Sequence, residues 1–249
     1  MKVLGIIPSR YGSSRFPGKP LADLLGKSMI QRVYEQAKKC VTFADVVVAT
    51  DDQRIYDHVK AFGGLVMMTS SDHASGTERC GEVIEKYNDY EIVVNIQGDE
   101  PLIRPEQLTE LIAVFESAEV TIGTIVKPIS NDADIRNPNR IKVVLDKDKN
   151  GIYFSRSPIP HIASTPHSNW LDNNTFYKHI GIYAWRTKTL KELLTLDSTA
   201  LEKLESLEQL RWIYNGYSIR TVETTIETPN IDVPEDVEAV LQLLRKKLQ

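Results

Sequence analysis

The sequence is poor in the residues that mark several common classes of protein. It has two cysteines among 249 residues, Cys40 and Cys80, and neither belongs to a C-x-x-C or zinc-binding pattern. This excludes a disulfide-stabilised secreted domain. No apolar run approaches the length of a membrane span, and the apolar start before Pro8 is too short for a signal peptide. We therefore expect a protein of the reducing cytoplasm with no membrane partner.

Basic residues are also not in excess. The chain has 30 Lys and Arg against 34 Asp and Glu, a net charge of −4, and no basic block alternates with aromatic residues. Nucleic acid is therefore not an expected partner. The first 22 residues differ, because they contain Lys2, Arg10, Arg15 and Lys19 and no acidic residue. This local positive charge predicts a site for a small polyanion.

Three familiar catalytic or binding motifs are missing as well. There is no H-E-x-x-H and no G-x-S-x-G, and the five histidines show no metal-ligand spacing. The stretch GSSRFPGKP is similar to a phosphate-binding P-loop, but five residues instead of four separate Gly12 from Gly18. Lys19 is followed by Pro20, which has neither a hydroxyl for Mg²⁺ nor an N–H for a phosphate. A P-loop NTPase is therefore disfavoured.

Apolar runs of strand length alternate with segments of helical periodicity over the first half of the chain. Strands are predicted at 3–7, 45–50, 64–68, 91–97 and 120–126, and helices at 29–39, 51–62, 77–87 and 105–117. This alternation predicts an α/β fold with a mostly parallel twisted sheet covered by helices.

The composition then changes. Pro, Asn, Ser and Tyr become frequent from about residue 131 to 185, where KVVLD, GIYF and FYKHIGIYAW predict antiparallel strands. Helices are predicted again at 189–196, 201–216 and 234–247. We expect a single domain over 1–249 with a smaller mixed region at about 130–190, used for substrate binding or dimerisation.

The loops that follow strands are where chemistry is expected, because ligands of open parallel sheets bind beyond the carboxyl ends of the strands. Arg10, Arg15 and Lys19 lie in the first such loop. They could bind phosphate, or they could simply be solvated. Asp99 follows the strand VVNI and could hold Mg²⁺, or it could be an ordinary turn residue. Asp232 could supply a second carboxylate or could begin a helix.

Seven blocks of sequence together indicate a protein family more specifically than any one block does alone. They occur in the order IPSRYGSSRFPGKPL, SDHASGTER, NIQGDEPLI, YFSRSPIP, HIGIY, LESLEQLR and IDVPED. Together they resemble the 3-deoxy-manno-octulosonate cytidylyltransferases, also called CMP-Kdo synthetases. The resemblance extends from Gly5 to about Leu241.

The resemblance implies a nucleotidyltransferase that joins CTP to the acid sugar 3-deoxy-D-manno-octulosonate (Kdo), giving CMP-Kdo and pyrophosphate for lipopolysaccharide biosynthesis. It also implies a three-layer α/β sandwich of the nucleotide-diphospho-sugar transferase type, a homodimer and a requirement for Mg²⁺. No covalent intermediate is needed for this reaction. Charge stabilisation and positioning would carry the catalysis.

The resemblance further assigns residues to roles, block by block. Residues expected to bind the nucleotide are Arg10, Ser13, Arg15, Lys19, Ser75 and Gly76. Residues expected to bind the sugar are Arg79, Gln97, Arg156, His179, Tyr183, Glu208 and Gln209. Asp99 and Asp232 are expected to hold Mg²⁺, and the residues expected to act in catalysis are Arg10, Lys19 and Asp99.

Some alternatives stay open. The segment 161–176 matches the family poorly, which leaves the choice between Kdo and a close analogue such as 8-amino-Kdo unresolved. A CMP-sialic acid synthetase would share the basic loop and the metal, but its loop typically lacks the Arg-x-Pro-Gly-Lys-Pro spacing. A glycosyltransferase of similar fold should show an Asp-x-Asp motif, which Gly98-Asp99-Glu100 does not provide.

Overall fold

The computed structural model describes residues 1–12, 15–163, 166, 169–172 and 174–248. These residues form two compact units. The first comprises Met1–Thr109 together with the chain from Glu227 onward, and the second comprises Glu110–Ile226. The mixed region expected at about 130–190 falls within the second unit.

The first unit contains a parallel sheet of four strands: β1 (Val3–Ser9), β2 (Phe43–Thr50), β3 (Leu65–Met68) and β4 (Ile92–Asn95). Their order is β3-β2-β1-β4. Most residues of β1, β2 and β4 are buried. This explains why they are near-continuous apolar runs, since a strand covered on both faces has no polar side.

Four helices follow these strands: α1 (Met29–Ala37), α2 (Gln53–Ala61), α3 (Gly76–Lys86) and α4 (Pro105–Ala113). The side chains of Ser28, Asp52 and Ser75 cap the first three by accepting a backbone N–H of the first turn. The helices α1 and α3 pack on β1 and β2, and α2 packs on β2 and β3. The alternation predicted for this part of the chain is therefore confirmed.

The second unit is built on antiparallel pairs. The strand β5 (Ile122–Pro128) is followed by the short helix α5 (Asp132–Arg136) and by the hairpin of β6 (Lys142–Leu145) and β7 (Gly151–Ser155). The long strand β8 (Tyr177–Arg186) pairs antiparallel with both β5 and β6.

The second unit ends with three helices and one more strand. These are α6 (Thr187–Leu193), α7 (Ala200–Glu205), α8 (Gln209–Tyr214) and β9 (Arg220–Glu223), which pairs parallel with β5. The chain then returns to the first unit with α9 (Asp236–Leu248). None of the helices in the described part of the chain is both long enough and apolar enough to span a membrane.

The single helix predicted over 201–216 is wrong, because α7 and α8 are separate helices. Ser206 has a left-handed backbone (φ 51°) and ends α7. The predicted leucine stripe is divided accordingly: Leu204 is 82% exposed, whereas Leu207 and Leu210 are buried. Helical periodicity could not reveal this break, because Leu204, Leu207 and Leu210 keep a helical spacing across Ser206. The elements α5 and β9 were not predicted, because both are too short to show a period.

An apolar cluster in the first unit brings distant loops together. It contains Leu24, Met29, Leu102, Ile231 and Val240. The backbone N–H of Ile231, a member of this cluster, donates to the Asp99 carbonyl at 3.0 Å. The loop after β4 and the loop before α9 are therefore held side by side, with Asp99 on one and Asp232 on the other.

Candidate active site

The loop after β1 is closed by a backbone hydrogen bond between its two ends. The Gly18 N–H donates to the Tyr11 carbonyl at 3.0 Å, and Gly18 has φ 72°. A Cβ at this position would lie 3.1 Å from the Tyr11 ring. Glycine is required here for both reasons. The Arg54 guanidinium covers the Tyr11 ring at 3.3 Å from its centroid, which further fixes the loop.

The loop leads into a single 3-10 turn that begins at Lys19. The Lys19 ammonium donates to Asp99 Oδ2 at 2.7 Å and to the Ile231 carbonyl at 2.9 Å. Its side chain is only 16% exposed. A lysine of the first loop therefore lies between the two carboxylate-bearing loops.

Arg15 makes a second ion pair of the same kind, with Asp232. Its guanidinium donates to Asp232 Oδ1 at 3.0 Å, and the Asn230 amide donates to Asp232 Oδ2 at 2.9 Å. The Asp236 carboxylate accepts the backbone N–H groups of Asp232 and Val233 at 2.8 and 3.0 Å. Asp236, the first residue of α9, thus binds back to the segment that precedes the helix, and the Asp232 carboxylate pairs with Arg15.

Asp99 and Asp232 both carry oxygen donors of the kind that Mg²⁺ prefers. Mg²⁺ prefers hard oxygen ligands and is usually held by one or two carboxylates together with substrate phosphates. Among the described residues no three His, Cys, Asp or Glu side chains converge on a common point. In this structure Lys19 and Arg15 neutralise the Asp99 and Asp232 carboxylates, whose charge a bound Mg²⁺ would otherwise neutralise.

Glu100 is a carboxylic acid that the sequence reasoning missed. It is 6% exposed, and the Thr228 hydroxyl lies 3.5 Å from its Oε2. Burial, with a smaller contribution from the Asp99 charge, raises the pKa of Glu100 to about 8. Glu100 is therefore largely protonated at neutral pH. The turn-like composition of GDEP contains no sign of this burial.

The residues expected around the nucleotide take different positions. Arg10 follows β1 and is exposed. The Ser75 hydroxyl caps α3 by accepting the Glu78 N–H at 3.1 Å. A Cβ on Gly76 would lie 3.2 Å from the Asn95 amide nitrogen, so the start of α3 closely approaches the end of β4. Ser13 lies outside the described residues.

Two residues expected at the sugar belong to the first unit. Gln97 is partly buried in the loop after β4. Arg79 is 1% exposed, and its guanidinium donates to Thr69 Oγ1 and, at 2.8 Å, to Asp51 Oδ2. This placement favours a structural role for Arg79, tying α3 to the ends of β2 and β3, over the expected contact with the sugar.

His179 and Tyr183 lie together on β8 in the second unit. Their ring centroids are 5.1 Å apart, and His179 Nε2 is 2.9 Å from the Thr124 hydroxyl. Burial lowers the pKa of His179 to about 3, so the imidazole is neutral at physiological pH. The Tyr183 hydroxyl is buried and has no hydrogen-bond partner among the described residues. Burial, together with the Glu208 charge, raises the Tyr183 pKa.

Arg156 follows β7, and its guanidinium is directed toward the turn between α7 and α8. Its Nε donates to the Glu205 carbonyl at 2.7 Å and its Nη1 to the Pro138 carbonyl at 3.0 Å. Glu208 immediately precedes α8 and Gln209 begins it. The second unit therefore places Arg156 against the turn that leads to both of these residues.

Comparison with solved structures defines the class of protein. The structure of a CMP:2-keto-3-deoxy-manno-octonic acid synthetase complexed with CTP is similar over 99% of this chain and 100% of its own, with a TM-score of 0.93 and 42% identity. A glucose-1-phosphate thymidylyltransferase from Bacillus anthracis, 18% identical, shares the fold with a TM-score of 0.69 over 98% of this chain and 95% of its own. The protein is a nucleotidyltransferase with the expected α/β fold of this type.

Sequence relatives identify the family. The cytidylyltransferase family model matches residues 4–223. The 3-deoxy-manno-octulosonate cytidylyltransferase of Parabacteroides distasonis is 54% identical over 99% of this chain and 100% of its own length, and that of Bacteroides thetaiotaomicron is 52% identical with the same coverage. The chain belongs to the 3-deoxy-manno-octulosonate cytidylyltransferase family.

Proposed function

We propose that this protein transfers CMP from CTP to Kdo, releasing pyrophosphate and forming CMP-Kdo. The observation that carries the proposal is the double pairing of Lys19 with Asp99 and of Arg15 with Asp232. It brings two cationic side chains and two carboxylates together on three loops of one unit. The names of the relatives support Kdo over 8-amino-Kdo or a sialic acid as the sugar.

The basic loop would hold the nucleotide by its phosphates. Arg15 can bind a phosphate bidentately, and the compact ammonium of Lys19 acts as a point charge. Arg10 is exposed at the start of the same loop, where it can add a third cation. Positive charge here stabilises the negative charge that leaves with pyrophosphate. Ser75 and Gly76 would lie beside the nucleotide at the start of α3.

Asp99 and Asp232 would hold Mg²⁺. When bound, the ion neutralises phosphate charge and orients the phosphates for displacement. Because both carboxylates are paired with cations of the loop, the binding of CTP and metal would require Lys19 and Arg15 to exchange carboxylate partners for phosphates. The basic loop thus lies beside Asp99 and Asp232 before the nucleotide binds.

In the second unit, Arg156 would bind the carboxylate of the acid sugar. His179 is neutral, so it would act as a hydrogen-bonding group rather than as a cation. The buried Tyr183 hydroxyl, which has no partner in the described part of the chain, could donate to a sugar oxygen. Glu208 and Gln209 could accept sugar hydroxyls. Because Kdo is built into lipopolysaccharide, we further propose that the protein acts in lipopolysaccharide biosynthesis. We also propose that it is a cytoplasmic homodimer, as its family resemblance and its cysteine content suggest.

The test is pyrophosphate release with Mg²⁺ and CTP, in the presence and absence of Kdo. Parallel reactions contain 8-amino-Kdo, N-acetylneuraminic acid or one of the other nucleoside triphosphates. We expect release that needs both CTP and Kdo. If pyrophosphate is released only with another acid sugar, that sugar and not Kdo is the substrate. Pyrophosphate release from a nucleotide without any sugar would contradict the proposed transfer.

A further inference from the structure

Glu205, the last residue of α7, joins the end of β7 to the turn between α7 and α8. Its Oε1 accepts the Ser155 hydroxyl at 2.6 Å, and its Oε2 accepts the Arg156 N–H at 2.9 Å. Its backbone carbonyl accepts Arg156 Nε at 2.7 Å. One glutamate thus binds Arg156 through both the main chain and the side chain.

These contacts orient the Arg156 guanidinium without cancelling its charge. The Glu205 carboxylate is directed at the backbone N–H, and the acceptors of the guanidinium among the described residues are carbonyls: those of Glu205, Pro138 and, at 3.4 Å, Ser206. Neutral carbonyls hold the group in place but leave it cationic. A guanidinium has five N–H donors, so one on each terminal nitrogen remains for a ligand, as a bidentate carboxylate requires.

The main chain of Arg156 is fixed on its other side as well. Lys142 is buried, and its ammonium donates to the Arg156 carbonyl at 2.6 Å and to the carbonyls of Asn137 and Arg140 at 2.9 and 2.6 Å. The peptide groups on both sides of Arg156 therefore have charged partners, Glu205 for the N–H and Lys142 for the C=O. Charge-assisted bonds of this kind are stronger than neutral ones.

The same turn leads to two other residues expected at the sugar. Ser206 adopts the left-handed conformation directly after Glu205, and the chain then passes through Leu207, which is buried, to Glu208 and Gln209. Because Glu205 ties the start of this turn to β7, it sets the distance between Arg156 and the beginning of α8.

We infer that Glu205 is a positioning residue for the acid sugar. It holds the Arg156 guanidinium in register with Glu208 and Gln209, so that the carboxylate of the sugar meets a preorganised cation. The inference rests on the proposed function, in which Arg156 binds that carboxylate. A purely structural role would lower stability or activity without distinguishing between the two substrates.

The test compares Glu205→Ala and Glu205→Gln with the wild-type enzyme and with Glu119→Gln, which changes an exposed carboxylate in the same unit. Glutamine can still accept the Arg156 N–H and can donate to the Ser155 hydroxyl. We expect Glu205→Ala to raise the KM for Kdo about tenfold while the KM for CTP changes less than about twofold. Glu205→Gln should recover most of the loss. An unchanged KM for Kdo in the alanine variant, or an equal rise for both substrates, would overturn the inference.

A second measurement does not depend on activity. Hydrogen–deuterium exchange of a peptide covering 153–160 should show faster exchange at the Arg156 amide in Glu205→Ala than in the wild-type protein, since that amide loses its acceptor. Unchanged exchange would refute the positioning role. If the wild-type protein releases no pyrophosphate with CTP and Kdo, the proposed function fails, whereas this exchange experiment still decides whether Glu205 holds Arg156.

Discussion

The Lys19 ammonium lies 2.7 Å from an Asp99 carboxylate oxygen, although the two residues are 80 positions apart in the sequence. A group expected to bind phosphate is thus paired with a group expected to bind metal. The pair is partly buried, with side-chain exposures of 16% and 25%, so solvent screens it less than an ion pair at the surface. Any ligand of either residue has to compete with the other.

Replacing Lys19 should affect both the binding of CTP and the affinity of Asp99 for a metal ion. In Lys19→Met, we expect the KM for CTP to rise about tenfold or more, because a phosphate-binding charge is lost. We also expect the nucleotide-free protein to bind Mn²⁺ more tightly, since Asp99 is no longer neutralised. Electron paramagnetic resonance of free Mn²⁺ measures the second effect directly. Lys27→Met is the matched control, because Lys27 pairs with Glu35 at 2.6 Å elsewhere in the unit. Unchanged Mn²⁺ binding in Lys19→Met would contradict the competition.

Asp99→Asn should reduce kcat on the order of 100-fold, because an amide is a weaker Mg²⁺ ligand than a carboxylate. The residual rate should increase with Mg²⁺ concentration over a range in which the wild-type enzyme is already saturated. A titration of initial rate against Mg²⁺ measures both effects. Near-normal rates at the Mg²⁺ concentration that just saturates the wild-type enzyme would remove Asp99 from the metal site.

Arg156→Ala should raise the KM for Kdo far more than the KM for CTP, because the partner of the sugar carboxylate is lost. Arg156→Lys should recover only part of the effect, since an ammonium cannot reproduce a bidentate contact. Arg136→Ala, which removes an exposed arginine of the same unit, serves as the control in the same steady-state assay. Equal effects on both substrates would reject the assignment.

His179 should make the protein less stable as the pH falls. Its pKa is lowered to about 3 in the folded protein, whereas an unfolded histidine titrates near 6.5. Below that value the unfolded state binds a proton that the folded state does not, so the free energy of unfolding falls by up to about 1.4 kcal/mol per pH unit between roughly pH 6 and 4. Urea unfolding of the wild type and of His179→Asn over this range should show a smaller slope in the variant. Identical slopes would show that His179 is not buried in its neutral form.

Gly18→Ala should lower the free energy of unfolding by about 1 to 2 kcal/mol, because alanine is strained at positive φ. Its Cβ would also meet the Tyr11 ring at 3.1 Å. Gly12→Ala, in the same loop, is the control, since a Cβ there would have no neighbour within 4 Å among the described residues. Denaturant unfolding of both variants checks the prediction, and equal stabilities would contradict it.

Much of the architecture could be predicted from local patterns. Buried strands such as β1 and β4 appear as apolar runs, and α1 to α4 show a helical period, because burial on two faces or on one stripe leaves a direct mark in the sequence. The break at Ser206 left no such mark. Leucines at 204, 207 and 210 have helical spacing, but the first is exposed and the other two are buried.

The alternation of strands and helices, the seven ordered blocks and the charge of the first loop can all be read from the sequence, and they are sufficient to indicate the family. Four contacts and burials depend instead on how the chain folds: Lys19 meets Asp99, Arg15 meets Asp232, Glu100 is buried and Arg79 pairs with Asp51. The difference lies in the distance along the chain over which each feature is set. A local pattern records which side of an element faces the core, whereas contacts between residues tens or hundreds of positions apart depend on the order of the strands and on the packing of the loops that follow them.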